Sequence, residues 1–247
     1  MIEWQIVLLI LGAMAGGFIN GLAGFGTALF ALGFWLQFLP PLQAVAIVVV
    51  LSVITGLQGV WLVRRSILDQ PRRLMRFLVP GVVGVPLGVV SLAYLNAEQL
   101  KLAIAGMMLL YGSYFLARRN LPKFERPTPI LDSSIGFVGG ILGGAAALSG
   151  ALPTMWCALR PWTKSETRAV LQPYNVGLLG LTALIFAVQG VYDRDTLLLI
   201  AIALPVAFAT SLLGVFTFTR LQDHQFRKLL IAMMFISGSV LAIRTLT

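Results

Sequence analysis

Charge is scarce in this chain: Asp, Glu, Lys and Arg make up 11% of its 247 residues, where ordinary soluble domains carry about 25%. A soluble fold of this length needs far more polar surface to cover its core, so water is excluded as the solvent for most of the chain. A single cysteine, Cys157, excludes an intramolecular disulfide, and a single histidine, His224, leaves no cluster for zinc or haem. No Gly-x-x-x-x-Gly-Lys-Ser/Thr loop is present to cradle a nucleotide phosphate, which removes an ATP-driven engine. The opening Met1-Ile2-Glu3-Trp4 lacks the basic stretch of a secretory signal, so the first apolar segment is expected to stay in the protein. Carboxylates are missing from the interior of every apolar segment: Glu3, Asp69, Glu98, Glu125, Asp132, Glu166, Asp193, Asp195 and Asp223 lie at edges or in loops. That argues against a proton relay through an acidic side chain at depth. With neither paired carboxylates nor a Ser-His-Asp set, no catalytic residues, metal or cofactor are expected, and the chain does not read as an enzyme.

Apolar residues fill the space instead, at 58% of the chain and a mean hydropathy of +0.91. The formal net charge of +9 forms no patch; the basic residues sit between apolar stretches, as topology signals do. The expected partners are therefore a lipid bilayer and a small solute, with no nucleic acid. Apolar runs between charges give eight segments, roughly 4–39, 42–63, 77–95, 99–117, 133–158, 169–191, 196–218 and 225–243. A spanning helix needs about 20 residues, and lipid-facing backbone must satisfy its own hydrogen bonds. The expected fold is all-α, a polytopic membrane protein.

The first and fifth segments stand apart. Gly16-Gly17-Phe18-Ile19-Asn20-Gly21-Leu22-Ala23-Gly24-Phe25-Gly26-Thr27 and Gly139-Gly140-Ile141-Leu142-Gly143-Gly144-Ala145-Ala146-Ala147-Leu148-Ser149-Gly150-Ala151-Leu152-Pro153 are too rich in glycine for steady helices, and Pro153 adds a break. The two stretches align with each other, and Leu100–Ser113 aligns without gaps on Phe226–Ser239, with Gly88 meeting Gly214 and Pro80 near Pro205. The chain therefore divides into a first membrane repeat, 1–117, a cytoplasmic linker, 118–132, and a second repeat, 133–247. If segments 1 and 5 enter and return on the same face, loops 64–76, 118–126, 160–168 and 220–228 share one side. That side then carries fifteen of the 18 basic residues, with Lys101, Arg194 and Arg244 opposite. Full crossing of all eight segments spreads them far more evenly, so the positive-inside rule favours two inverted four-segment repeats, each starting with a Gly-rich broken or re-entrant helix.

Uncharged polar residues gather near the breaks: Asn20, Thr27, Ser149, Thr154, Gln172 and Asn175. A helix end freed by glycine exposes backbone N–H groups that bind anions without a fixed charge, and Thr27 and Ser149 can add hydroxyl donors. The same glycines can simply let helices pack closely, and Asn20 or Asn175 can satisfy a neighbouring backbone group. Gln58 and Gln189 read as interfacial, and Trp4, Trp61, Trp156 and Trp162 as an aromatic belt. Arg168 opens the sixth segment beside Ser165 and Glu166, which could cap it; it is either a topology signal paired with Glu166 or a cation that attracts substrate.

Residues 16–27 resemble the first-repeat signature of the TauE/SafE sulfite and organosulfonate exporter family. Gly139–Gly144 with Ser149-Gly150 is similar to its second-repeat partner, and Lys164–Ala169 to its Arg-Ala-Thr region. The family pattern Gly-x-Gly-Gly-Pro is replaced here by Ala147-Leu148-Ser149-Gly150-Ala151. The resemblance implies a secondary transporter of small sulfur-containing anions, such as sulfite, sulfoacetate or other organosulfonates, in the cytoplasmic membrane. The expected substrate-binding residues are Asn20, Gly24, Gly26, Thr27, Ser149, Gly150, Arg168, Gln172 and Asn175. A membrane potential worth about 2.3 kcal/mol per charge per 100 mV pushes anions outward, favouring export by alternating access. An anion channel and a non-transporting membrane scaffold are the alternatives. A homodimer is compatible with the sequence, which carries nothing to fix the oligomeric state.

Overall fold

A computed structural model of the chain describes residues 3–96 and 124–222, with scattered positions between 98 and 113 and at 225 and 235. The expected segments 99–117 and 225–243, the match between them and the linker positions 118–123 fall outside the described residues, those positions apart. Among the described residues every regular element is a helix: α1 (Glu3–Ala23), α2 (Thr27–Trp35), α3 (Pro41–Leu62), α4 (Arg64–Asp69), α5 (Pro71–Leu92), α6 (Pro129–Ala146), α7 (Ala151–Cys157), α8 (Lys164–Val188) and α9 (Arg194–Arg220). Six of these, α1, α3, α5, α6, α8 and α9, are long and apolar enough to cross a membrane.

Helix starts follow local chemistry. Pro41, Pro71 and Pro129 occupy first positions, where a missing N–H is harmless. The cap of α8 is Thr163 rather than Ser165: its hydroxyl accepts from the Glu166 N–H at 3.2 Å, and the Glu166 carboxylate accepts from the Thr163 N–H at 3.0 Å. Asp193 caps α9 by accepting from the Thr196 N–H at 2.8 Å, and hydrogen bonding to the Thr196 side chain and backbone holds its carboxyl below the ordinary range.

Two antiparallel hairpins organise the rest. Gly24 (φ 83°) and Gly26 (φ 96°) turn the chain in a left-handed conformation open to glycine, and α2 runs back along α1 until the Trp35 indole N–H donates to the Leu9 carbonyl at 3.2 Å. In the second hairpin α6 ends at Ala147 (φ 55°), whose N–H donates to Gly143 O at 2.9 Å while Leu148 N–H donates to Leu142 O at 3.1 Å. Then α7 folds back, with Ser149 and Pro153 against Gly143 and Gly139. The break therefore falls at 147–150, and Pro153, in the first turn of α7, does not cause it.

Each hairpin leans on a helix from the other part of the chain. α1 lies along α9 in the same direction: a Cβ on Gly17 would stand 2.3 Å from Ala207 O and one on Gly21 2.0 Å from Ser211 O. α6 lies along α5 in the same way, with Gly140 2.1 Å from Gly81 O and Gly144 2.3 Å from Val85 O. In the opposite sense, a Cβ on Gly214 would stand 2.1 Å from Phe18 O and one on Gly88 2.0 Å from Ile141 O. One set of close backbone contacts thus occurs twice at constant residue spacing, the small residues giving the approach that membrane helices use. α3 and α8 pack together between the pairs.

Contacts also sort the loops. Arg73 pairs with Glu166 at 2.9 Å, Phe124 N–H donates to Leu159 O at 2.9 Å, and Lys164 Nζ donates to Phe218 O at 3.2 Å and Leu221 O at 2.5 Å. The loops after α3, before α6, after α7 and after α9 therefore share one basic end. At the other end Trp4 meets Phe38, ring centroids 5.9 Å apart, and Gln43 donates to the Thr196 hydroxyl at 3.1 Å. Val79, Val83, Leu87 and Val90 on α5 and Leu212, Leu213 and Phe216 on α9 face outward as lipid-compatible surface. Trp4 and Trp61 are likewise exposed, whereas Trp156 donates to Asp132 at 2.7 Å and Trp162 lies beneath Arg73.

Candidate functional site

The glycine turn after α1 delivers its polar residues to α3 and α8. Asn20, 1% exposed, donates from Nδ2 to Ser52 O at 3.1 Å and Thr55 Oγ1 at 2.6 Å. The Thr55 hydroxyl passes its own proton to Leu51 O at 2.6 Å. Asn20 Oδ1 and the Thr27 hydroxyl are both buried without a partner among the described residues. Thr27 is the first residue of α2, whose opening N–H groups lack intrahelical acceptors.

Arg168 lies one turn inside α8 and is 2% exposed. Its Nη2 donates to Gly21 O at 2.7 Å and its Nη1 to Leu22 O at 3.3 Å. These are among the last carbonyls of α1, so the guanidinium caps the negative end of that helix. Its Nε donates to Gln172 Oε1 at 3.2 Å, and the group lies 4.3 Å over the Phe218 ring. No ion pair joins it to a carboxylate among the described residues. Glu166, the partner expected on one reading of the sequence, belongs to Arg73 instead.

Gln172 bridges the cluster: its Nε2 donates to Gly56 O at 3.1 Å, and its side chain fills the space a Cβ would need at Gly24 and Gly59. From the second break, the Ser149 hydroxyl donates to Asn175 Oδ1 at 2.5 Å. Gly150 packs against Phe25, where an added Cβ would stand 2.5 Å from the ring-bearing carbon. The two turns therefore touch. Of the nine residues expected at the site, all but the half-buried Gly26 are buried, and contacts link Asn20, Gly24, Gln172 and Arg168 around the first turn and Ser149 with Asn175 at the second. Ser52, Thr55, Gly56 and Gly59 of α3 complete the cluster and were not expected; a pair of hydroxyls and a pair of glycines in an otherwise apolar helix were the available signal. Both atoms of the Gln58 amide are buried, whereas Gln189 is exposed.

Two depressions open at the basic end. One, of about 240 Å³, is lined by Leu62, Val63, Ser66, Lys164, Phe218 and neighbours. The other, of about 100 Å³, is lined by Asp69, Arg73, Glu166 and neighbours. Neither is lined by Asn20, Thr27, Ser149 or Asn175, which are packed closed; the first reaches Phe218, the ring beneath Arg168.

A second ionic cluster sits at the foot of the second hairpin. Asp132, 3% exposed, pairs with Arg160 at 3.0 Å, lies 3.8 Å from Arg76, and accepts from Trp156. Arg160 also donates to Phe124 O at 3.1 Å, Arg126 O at 2.6 Å and the Thr128 hydroxyl, tying the strand before α6 to the end of α7.

Among known families, the one described as Sulfite exporter TauE/SafE matches residues 8–241 of this chain. No curated protein and no solved structure matches it.

Proposed function

Since this chain belongs to the TauE/SafE sulfite exporter family, a family of multi-pass membrane transporters, we propose that it carries small sulfur-containing anions such as sulfite or organosulfonates out across the cytoplasmic membrane by alternating access. The observation that carries the reading is Arg168: a buried guanidinium with dipolar partners but, among the described residues, no carboxylate. A buried cation without a counter-charge is unfavourable, and an anion seated beside it supplies that charge. The Thr27 hydroxyl and the opening N–H groups of α2 are the donors nearest the glycine turn. Ser149, Gly150 and Asn175 bring the second turn to the same place, and Lys164 lines the depression through which an anion approaches.

Two inverted repeats fit this mechanism. Running directions support them: α1 and α9 are parallel, as are α5 and α6, and the basic loops share one end. By the positive-inside rule that end is cytoplasmic. Chains 1–117 and 133–247 would then be the repeats, each opening with a re-entrant hairpin. Close packing around Asn20 and Ser149 favours a carrier in a closed state over an open channel.

Transport into proteoliposomes tests the reading. Wild type is expected to move labelled sulfite or an organosulfonate with saturable kinetics and counterflow. Arg168→Gln falls to background while still folding, and Arg168→Lys, which keeps the charge and loses the fork, raises KM roughly ten-fold. Flux through wild type no faster than through empty vesicles would sink it.

A further inference from the structure

Asn20 carries an unusual signature for a residue beside an anion site. Its amide orientation is fixed by its surroundings. Nδ2 faces two acceptors: Ser52 O at 3.1 Å, and Thr55 Oγ1 at 2.6 Å, whose proton is already committed to Leu51 O. Turning the amide over would set Oδ1 against both oxygens, with no hydrogen between them. The atom left over is therefore the carbonyl oxygen, buried and without a donor among the described residues. A buried acceptor in that condition is costly unless something supplies a hydrogen bond.

Oδ1 is an acceptor, so it repels an anion's oxygens. A bare cation such as Na⁺ would suit it, but Arg168 stands in the way. Its Nε holds Gln172 at 3.2 Å, and Gln172 Nε2 and Asn20 Nδ2 lie 3.2 and 3.8 Å from the point where a Cβ on Gly56 would stand. Gln172 thus stands between the permanent positive charge and the Asn20 amide. The ligand that satisfies both groups is an anion that also carries a hydrogen-bond donor.

Resting on the transport reading above, we propose that Asn20 is a specificity-determining residue: its Oδ1 accepts from a hydroxyl on the transported anion. The protein then selects donor-bearing sulfur oxyanions over isosteric ones that lack a donor. Sites built to hydrogen-bond a substrate group reject analogues without it far more strongly than apolar pockets reject a missing methylene.

Matched pairs test this with the full-length protein in proteoliposomes: bisulfite against methanesulfonate, and 2-hydroxyethanesulfonate against propanesulfonate, in which a methyl replaces the hydroxyl. In wild type the donor-bearing member of a pair is expected to show a kcat/KM at least about ten-fold higher. Asn20→Leu is expected to bring the two members together by slowing the donor-bearing one. If that variant fails to fold, the wild-type ratio decides alone. Equal flux within every pair, or flux of the donor-free anion that depends on external Na⁺, overturns the inference and leaves the transporter reading standing. No flux of any of them above empty vesicles removes both.

Discussion

Single residues in this protein hold helix ends and turns as much as they hold one another. Arg168 and Lys164 both donate to carbonyls at the C-terminal ends of helices, α1 and α9 respectively. Asp132 does comparable work at the foot of the second hairpin, and there its charge is what Arg160 requires. Asp132→Asn leaves Arg160, with a side chain 4% exposed, without its buried counter-charge. A loss of about 3–5 kcal/mol is expected, read as a lower melting temperature in detergent, with transport per folded molecule little changed. Ala147 is the reverse case. It adopts φ 55°, the only positive φ outside glycine among the described residues, so Ala147→Gly should stabilise by roughly 1 kcal/mol, and a lowered melting temperature would contradict the strain. The sequence marks Asn20 and Arg168 as polar residues in apolar surroundings. It cannot reveal that Arg168 binds the Gly21 and Leu22 carbonyls rather than Glu166, because backbone acceptors are the same in every residue and only the fold selects which ones arrive.

At the level of helices, glycine serves two ends that one composition cannot separate. Gly24 and Gly26 make the turn, whereas Gly17, Gly21, Gly140 and Gly144 admit a neighbouring backbone. The contrast is measurable. Gly21→Ala places a Cβ 2.0 Å from Ser211 O and must push α1 off α9; a loss of at least about 1–3 kcal/mol is expected. Gly180→Ala, deep in α8 with nothing within 4 Å, is expected to be neutral or to stabilise by up to about 1 kcal/mol. If the two variants melt alike, the packing described for α1 and α9 is wrong. Helix existence was readable from apolar run length, as were the two breaks from glycine density. The place of the second break was not, since Pro153 looks like a breaker wherever it stands and only its position in the first turn of α7 makes it harmless. Thr163 likewise outcompetes Ser165 as a cap because Glu166 stands three residues beyond it.

On the scale of the molecule, the arrangement turns on which loops share a face. In a Cys157→Ala background, a cysteine at Ser165 is expected to resist a membrane-impermeant thiol reagent applied to intact cells, and one at Gln189 to react. Labelling of position 165 from outside would refute the proposed orientation. The distribution of basic residues along the chain pointed to this grouping, because charge at loop ends can be counted without knowing any contact. Pairing of α1 with α9 and of α5 with α6 was not visible, since glycine-lined surfaces look equally suited to many neighbours.

That pairing has a consequence for biosynthesis. α1, made before the other described helices, finds its matching surface on α9, the last of them. While the ribosome is still translating the middle of the chain, the Gly17 and Gly21 stripe has only lipid to touch. A fragment ending near residue 117 should therefore be a target for membrane quality control when expressed by itself, and should gain lifetime when the remainder is supplied as a separate polypeptide.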